Sequence, residues 1–118
     1  MTAGNSGLCL RYLDMYCSGR DLHELTSLLA EDLHFEGPLA EFSSAREYID
    51  ALLADPPSGC RYNLLHQFEK GEYVNLIYRF TRGDVTTVMS QLFRVRNGTI
   101  SSTRLIFDTA PFLSRTRP

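Results

Sequence analysis

The stretch Met89-Ser90-Gln91-Leu92-Phe93-Arg94-Val95-Arg96-Asn97-Gly98-Thr99-Ile100 decides the fold. Met89, Gln91, Phe93 and Val95 alternate with Ser90, Leu92, Arg94 and Arg96, the period of a strand whose two faces differ. Asn97-Gly98 then suits a two-residue turn with positive φ at both positions, the strongest hairpin signal in the chain. One strand is therefore expected over Val85 to Arg96 and its partner over about Thr99 to Thr109. Working back, Arg82-Gly83-Asp84 reads as a turn that joins Val85 to an earlier strand, Tyr73 to Thr81. That strand carries Val74, Leu76, Tyr78 and Phe80 on one face, and a turn at Lys70-Gly71 links it to a strand over Arg61 to Glu69.

The front half has the longer period of helices. Leu8 to Cys17 places apolar residues three and four apart, and Ser18-Gly19-Arg20 is a stop, because glycine adopts the left-handed conformation cheaply. Asp21 reads as the cap of a second helix, Leu22 to Leu29, with Glu24 at its third position. Leu33 to Glu36 alternates as a short strand that Gly37-Pro38 ends. Ser43 or Ser44 can cap a third helix, about Ala45 to Ala54, with Tyr48, Ile49, Leu52 and Leu53 on its buried face, and Asp55-Pro56-Pro57-Ser58-Gly59 breaks it. Helices followed by an antiparallel meander specify an α+β fold with the helices on one face of a curved sheet.

Composition bounds what such a fold can do. The 118 residues suffice for one domain with a real core, and 43% hydrophobic with 22% charged residues is ordinary for a globular protein. A formal net charge of -2 gives no electrostatic basis for a nucleic-acid or membrane partner, with Arg94, Arg96, Arg104, Arg115 and Arg117 reading as a solvated strand face and a loose end. Cys9, Cys17 and Cys60 are odd in number and have no CxxC spacing, so neither a disulfide framework nor a zinc site is expected. A reducing cytoplasm is the expected location, and no apolar run reaches the length of a membrane span. His34-x-Glu36 lacks a third ligand and is no metal motif, and no cofactor motif stands out.

The motifs together resemble the nuclear transport factor 2-like superfamily, with the ketosteroid isomerase and SnoaL-like polyketide cyclase branch the nearest. The resemblance rests on Arg11-Tyr12-Leu13, Gly19-Arg20-Asp21-Leu22, the passage from Leu28 to Pro38, and the ending from Phe93 to Phe107. It spans about residues 8 to 113 within a single domain of residues 1 to 118. It implies a cone-shaped half-barrel, three N-terminal helices against a mostly antiparallel sheet, with a pocket at the wide end and frequent homodimers. It also implies site residues: Tyr12 resembles the family's oxyanion tyrosine, Gln91 stands where a protonated acid is found, and Phe107 resembles the aromatic lining the pocket. The family's carboxylate base precedes the proline, and here that position is Gly37.

Glu36 and His66 are the candidates for a replacement base. Strand alternation sets Glu36 opposite Phe35, so Glu36 faces the pocket only if a bulge at Gly37-Pro38 re-aims it. His66 lies in a strand with apolar residues on both faces, so either side is open to it. His23, early in a helix, is expected to be exposed. The resemblance implies a small-molecule pocket protein: an isomerase, cyclase or lyase for an apolar carbonyl-bearing metabolite, or alternatively a non-catalytic binder or a dimeric interaction module. On this reading Gln91→Leu leaves the fold intact and weakens a carbonyl ligand.

Overall fold

The computed structural model describes residues 4–20, 22–57 and 59–113. The elements run α1 (Gly4–Ser18), α2 (Leu22–Leu25), a 3₁₀ turn (Thr26–Leu28), β1 (Leu29–Glu36), β2 (Glu41–Phe42), α3 (Ala45–Ala54), β3 (Cys60–Lys70), β4 (Tyr73–Arg82), β5 (Val85–Arg96), β6 (Thr99–Phe107) and α4 (Ala110–Leu113). The strands form one curved, unclosed sheet in the order β2-β1-β6-β5-β4-β3, antiparallel except where β1 runs parallel to β6.

The alternating faces of the back half fold as the period requires. Val74, Leu76, Tyr78 and Phe80 on β4 and Met89, Gln91, Phe93 and Val95 on β5 are all buried against the helices. Phe93 is wholly buried, and emptying such a site costs about 3–5 kcal/mol. Asn97 at φ 54° and Gly98 at φ 78° close the β5–β6 hairpin, as a primed turn should. Ser44 caps α3 by accepting from the Glu47 amide at 3.1 Å, while Glu47 accepts from the Ser43 amide at 2.9 Å. Tyr48 and Ile49 face the core, but Leu53 is 39% exposed, so the buried stripe of α3 is narrower than its apolar content implied.

The structure departs from the sequence reading where a tertiary partner outweighs a local signal. The pairing of β1 along β6 is non-local and carries a register shift between Leu29 and His34, and it extends the strand back to Leu29. The second helix is shortened accordingly: Ser27 Oγ donates to the Glu24 carbonyl at 2.7 Å and the chain tightens into the 3₁₀ turn. Asp21, expected as its cap, lies outside the described residues. Strand β6 stops at Phe107 rather than Thr109, because Asp108 Oδ1 accepts from the Ala110 amide at 3.0 Å and starts α4. Among the described residues no helix is long and apolar enough to cross a membrane.

Contacts at both ends help to hold α1 in place. Glu69 Oε1, on β3, accepts from the Ser6 amide at 3.0 Å and from Ser6 Oγ at 2.5 Å, capping a helix that begins four residues before its first apolar position. At the other end Gly19 has φ +66°, and a Cβ there would stand 2.3 Å from the Pro57 carbonyl oxygen. Gly19→Ala is therefore expected to lower stability by about 2 kcal/mol or more, read as a fall in the urea midpoint. The hydrogen bonds from the Ser6 side chain and then its amide hold the Glu69 carboxyl below the usual glutamate range. A depressed folded-state pKa gives stability that is present above the unfolded value and lost as pH falls through the folded one. The stability difference between wild type and Glu69→Gln, followed by urea unfolding from pH 7 to pH 3, should therefore shrink below about pH 4.5. A difference independent of pH would remove this role from Glu69.

Candidate functional site

The concave face of the sheet is wider than the helices that cover it, and the remainder is a cavity of about 480 Å³. Its floor combines Tyr12 from α1, Tyr48 from α3, Tyr78 from β4 and Gln91 from β5. Its walls are apolar: Phe35 and Phe42 on one side, Phe80, Met89 and Leu105 along the sheet, Phe107 and Phe112 at the far end. Gly37, Pro38, Leu39, Asp55 and Arg82 stand on its rim, and Asp55 and Arg82 are the charged residues among the described lining.

The floor is a hydrogen-bonded set of neutral groups. The Tyr12 and Tyr48 hydroxyls bond to each other. The Tyr78 hydroxyl donates to Gln91 Oε1 at 2.7 Å, and Gln91 Nε2 donates to Thr103 Oγ1 at 2.8 Å. Burial pushes the Tyr12 hydroxyl up, against the opposing hydrogen bonds of Tyr48 and Gln91, and burial likewise raises Tyr48, Tyr78 and Tyr16. These hydroxyls therefore remain protonated at neutral pH and act as donors, not bases. Aromatic contacts fix their rings: Tyr48 stacks on Phe35 at 5.0 Å, Tyr12 meets the edge of Phe93 at 5.5 Å, and Phe107 packs edge-on against Phe112 at 5.5 Å.

Tyr12, Gln91 and Phe107 thus line one cavity: Tyr12 bonds to Tyr48 and interacts with Gln91, whose other partners are Tyr78 and Thr103. Glu36 and His66 lie elsewhere. Glu36 is on the outer face, where Arg104 Nη2 donates to its Oε1 at 3.0 Å; the chain at Gly37-Pro38 does not re-aim it. His66 is turned outward by a bulge: Leu64 pairs with Tyr78 but His66 pairs with Ile77, so the extra residue Leu65 exchanges the faces of β3. His66 is exposed and stacks on Phe68 at 6.2 Å.

Gly37 is crowded as well as lacking a carboxylate. A Cβ there would stand 3.2 Å from the Phe35 ring, so any side chain at this position requires the ring to give by a few tenths of an ångström. His34, exposed, pairs with Glu41 at 3.0 Å, and no three metal-ligating side chains come together among the described residues. Sequence reasoning missed Tyr48, Tyr78 and Thr103 as polar partners and Asp55 and Arg82 as rim charges. The available signal was tyrosine at core-facing positions, where phenylalanine would carry no hydroxyl to satisfy.

Comparison with known proteins agrees with this architecture. An NTF2-like protein of unknown function from Cytophaga hutchinsonii superposes with a TM-score of 0.82 at 22% identity, covering 96% of this chain and 97% of that one. A protein provisionally described as a ketosteroid isomerase, from Kribbella flavida, gives 0.76 at 22% identity over 88% and 77% of the two chains. A protein provisionally described as a SnoaL-like polyketide cyclase, from Shewanella putrefaciens, gives 0.80 at 17% identity over 96% and 85%. No curated protein matches the chain at a significant level. Residues 10–103 match the SnoaL-like domain, and the chain belongs to that family.

Proposed function

We propose that the protein binds an apolar small molecule bearing a carbonyl group and holds that group against the Tyr12–Tyr48 pair. The observation that carries this reading is the pair itself. Two hydroxyls bonded to each other contain two hydrogens, and the bond between them uses one. The other is available at the floor of an apolar cavity of about 480 Å³, within the size range of small-molecule sites. A carbonyl oxygen accepts that hydrogen without itself donating. Of the two families of function that suit the fold, binding is favoured over an isomerase, cyclase or lyase reaction. The cavity floor contains neutral donors, and the two candidate bases, Glu36 and His66, are on the outer face. The names attached to the Kribbella and Shewanella proteins support a pocket for carbonyl compounds and no particular reaction.

A naphthyl ketone and its deoxygenated hydrocarbon, compared by fluorescence titration, test this. The ketone should bind about tenfold more tightly, the worth of one buried hydrogen bond. The double substitution Tyr12→Phe and Tyr48→Phe removes both hydroxyls and orphans neither, so it should abolish that preference with little change in stability. Equal affinity for the two probes in the wild type would overturn the proposal. Gln91→Leu is a poor probe, contrary to the expectation from sequence: it strands the buried Tyr78 and Thr103 hydroxyls and should destabilise the fold by about 1–3 kcal/mol.

We also propose that two copies pair through the outer face of the sheet. Cross-strand register lines up His66, Ile77, Ser90 and Ile106 in one row and Phe68, Asn75, Leu92 and Arg104 in the next. Phe68 is 59% and Ile106 60% exposed, and a patch of this kind favours association. Sedimentation should give a dimer of the 13.4 kDa chain and a monomer for Ile106→Asp with Leu92→Arg. A wild-type monomer at tens of micromolar would end this reading.

A further inference from the structure

The fold sorts its three thiols. Cys9, in the middle of α1, is wholly buried, and burial pushes its thiol up to about 12. Cys17, the penultimate residue of α1, and Cys60, the first of β3, are only partly buried. They meet: the Cys60 thiol donates to the Cys17 carbonyl oxygen at 3.8 Å. The side chains also interact directly. Burial, and next to it a hydrogen bond that the Cys17 thiol gives to the Cys60 sulfur, push the Cys17 thiol up to about 12. The two backbones are braced together just beyond, where Gly19 packs under the Pro57 carbonyl.

We infer that Cys17 and Cys60 form a disulfide reversibly when the protein meets a small-molecule disulfide such as oxidised glutathione. The sulfurs must approach to about 2.05 Å with the Cβ atoms about 4 Å apart; the Cys60 sulfur already stands 3.8 Å from the Cys17 carbonyl oxygen, and rotation of the two side chains is to supply the rest. The chemistry balances in two exchanges. The Cys60 thiolate attacks oxidised glutathione, forming a mixed disulfide and releasing one glutathione thiolate. The Cys17 thiolate then attacks Cys60 Sγ, forming the protein disulfide and releasing the second glutathione. Two protein thiols are oxidised, one glutathione disulfide is reduced to two thiols, and the protons leave with them. Cys60 is the entry point, because burial and its bond to the Cys60 sulfur keep the Cys17 thiol from ionising until the mixed disulfide has formed beside it.

The link closes a loop between residues 43 apart and ties the last turn of α1 to the start of β3. Tyr16, next to Cys17, lines the cavity, so the cross-link fixes one wall of the mouth. That consequence rests on the binding reading above, whereas the cross-link itself does not.

The full-length protein, equilibrated with defined ratios of oxidised to reduced glutathione and alkylated before mass spectrometry, provides the test. The expected product is a monomeric chain lighter by two hydrogens, yielding a Cys17–Cys60 peptide, with Cys9 alkylated only after denaturation. Its melting temperature should rise by about 5 °C or more and return when dithiothreitol is added. Cys17→Ser should stop at a single glutathione adduct on Cys60, since the resolving thiol is gone. Persistent glutathione adducts on the wild type, a disulfide involving Cys9, or an unmodified Cys17→Ser variant would each overturn the inference. A protein that cross-links but binds no apolar ketone in either redox state counts against the binding reading and leaves the cross-link standing.

Discussion

A carboxamide buried at the middle of a sheet must find both donors and acceptors, and Gln91 finds them on the strands to either side. Tyr78 on β4 donates to it and Thr103 on β6 accepts from it, so side-chain bonds cross the same three strands that the backbone ladder joins. Replacing one member orphans the others, which makes the set all-or-nothing. The bonds also fix the register of the central strands at the level of the cavity floor. The apolar walls then arrange themselves around a polar floor whose position the chain cannot shift by a residue without burying an unpaired group.

The same logic keeps charge away from that floor. A side chain beside Pro38 would press on the Phe35 ring, and Glu36 is satisfied outside by Arg104. A carboxylate moved inward would lose that partner and lie among neutral hydroxyls and aromatic rings, where ionisation is disfavoured. Charge is tolerated at the rim, at Asp55 and Arg82, because solvent reaches them there.

Much of this was legible in the residues. The inner faces of β4 and β5, the Asn97-Gly98 turn and the Ser44-capped α3 follow from period, turn chemistry and capping, all of them local. What escaped the reading was non-local. No residue near Gly4 announces that Glu69, more than sixty positions on, caps α1. The parallel seat of β1 beside β6 leaves no mark in Leu29-Ala30-Glu31-Asp32. His66 stood in a strand with both faces partly apolar, and one extra residue at Leu65 settled which way it turns. For the site, sequence and resemblance named Tyr12, Gln91 and Phe107 as neighbours. The hydroxyls of Tyr48 and Tyr78 were hidden because a core-facing tyrosine and a core-facing phenylalanine occupy the same place in the pattern.

The bulge at Leu65 has a bearing on solubility. Strand β3 is an outer strand of the sheet and eleven residues long, long enough for its unpaired backbone groups to template a foreign strand. The extra residue breaks that edge into two shorter runs that twist apart, and the opposite edge ends in the two residues of β2. A passing strand thus finds no continuous ladder along β3. Contacts between copies are thereby steered away from open-ended stacking along that edge, the geometry from which fibrils grow.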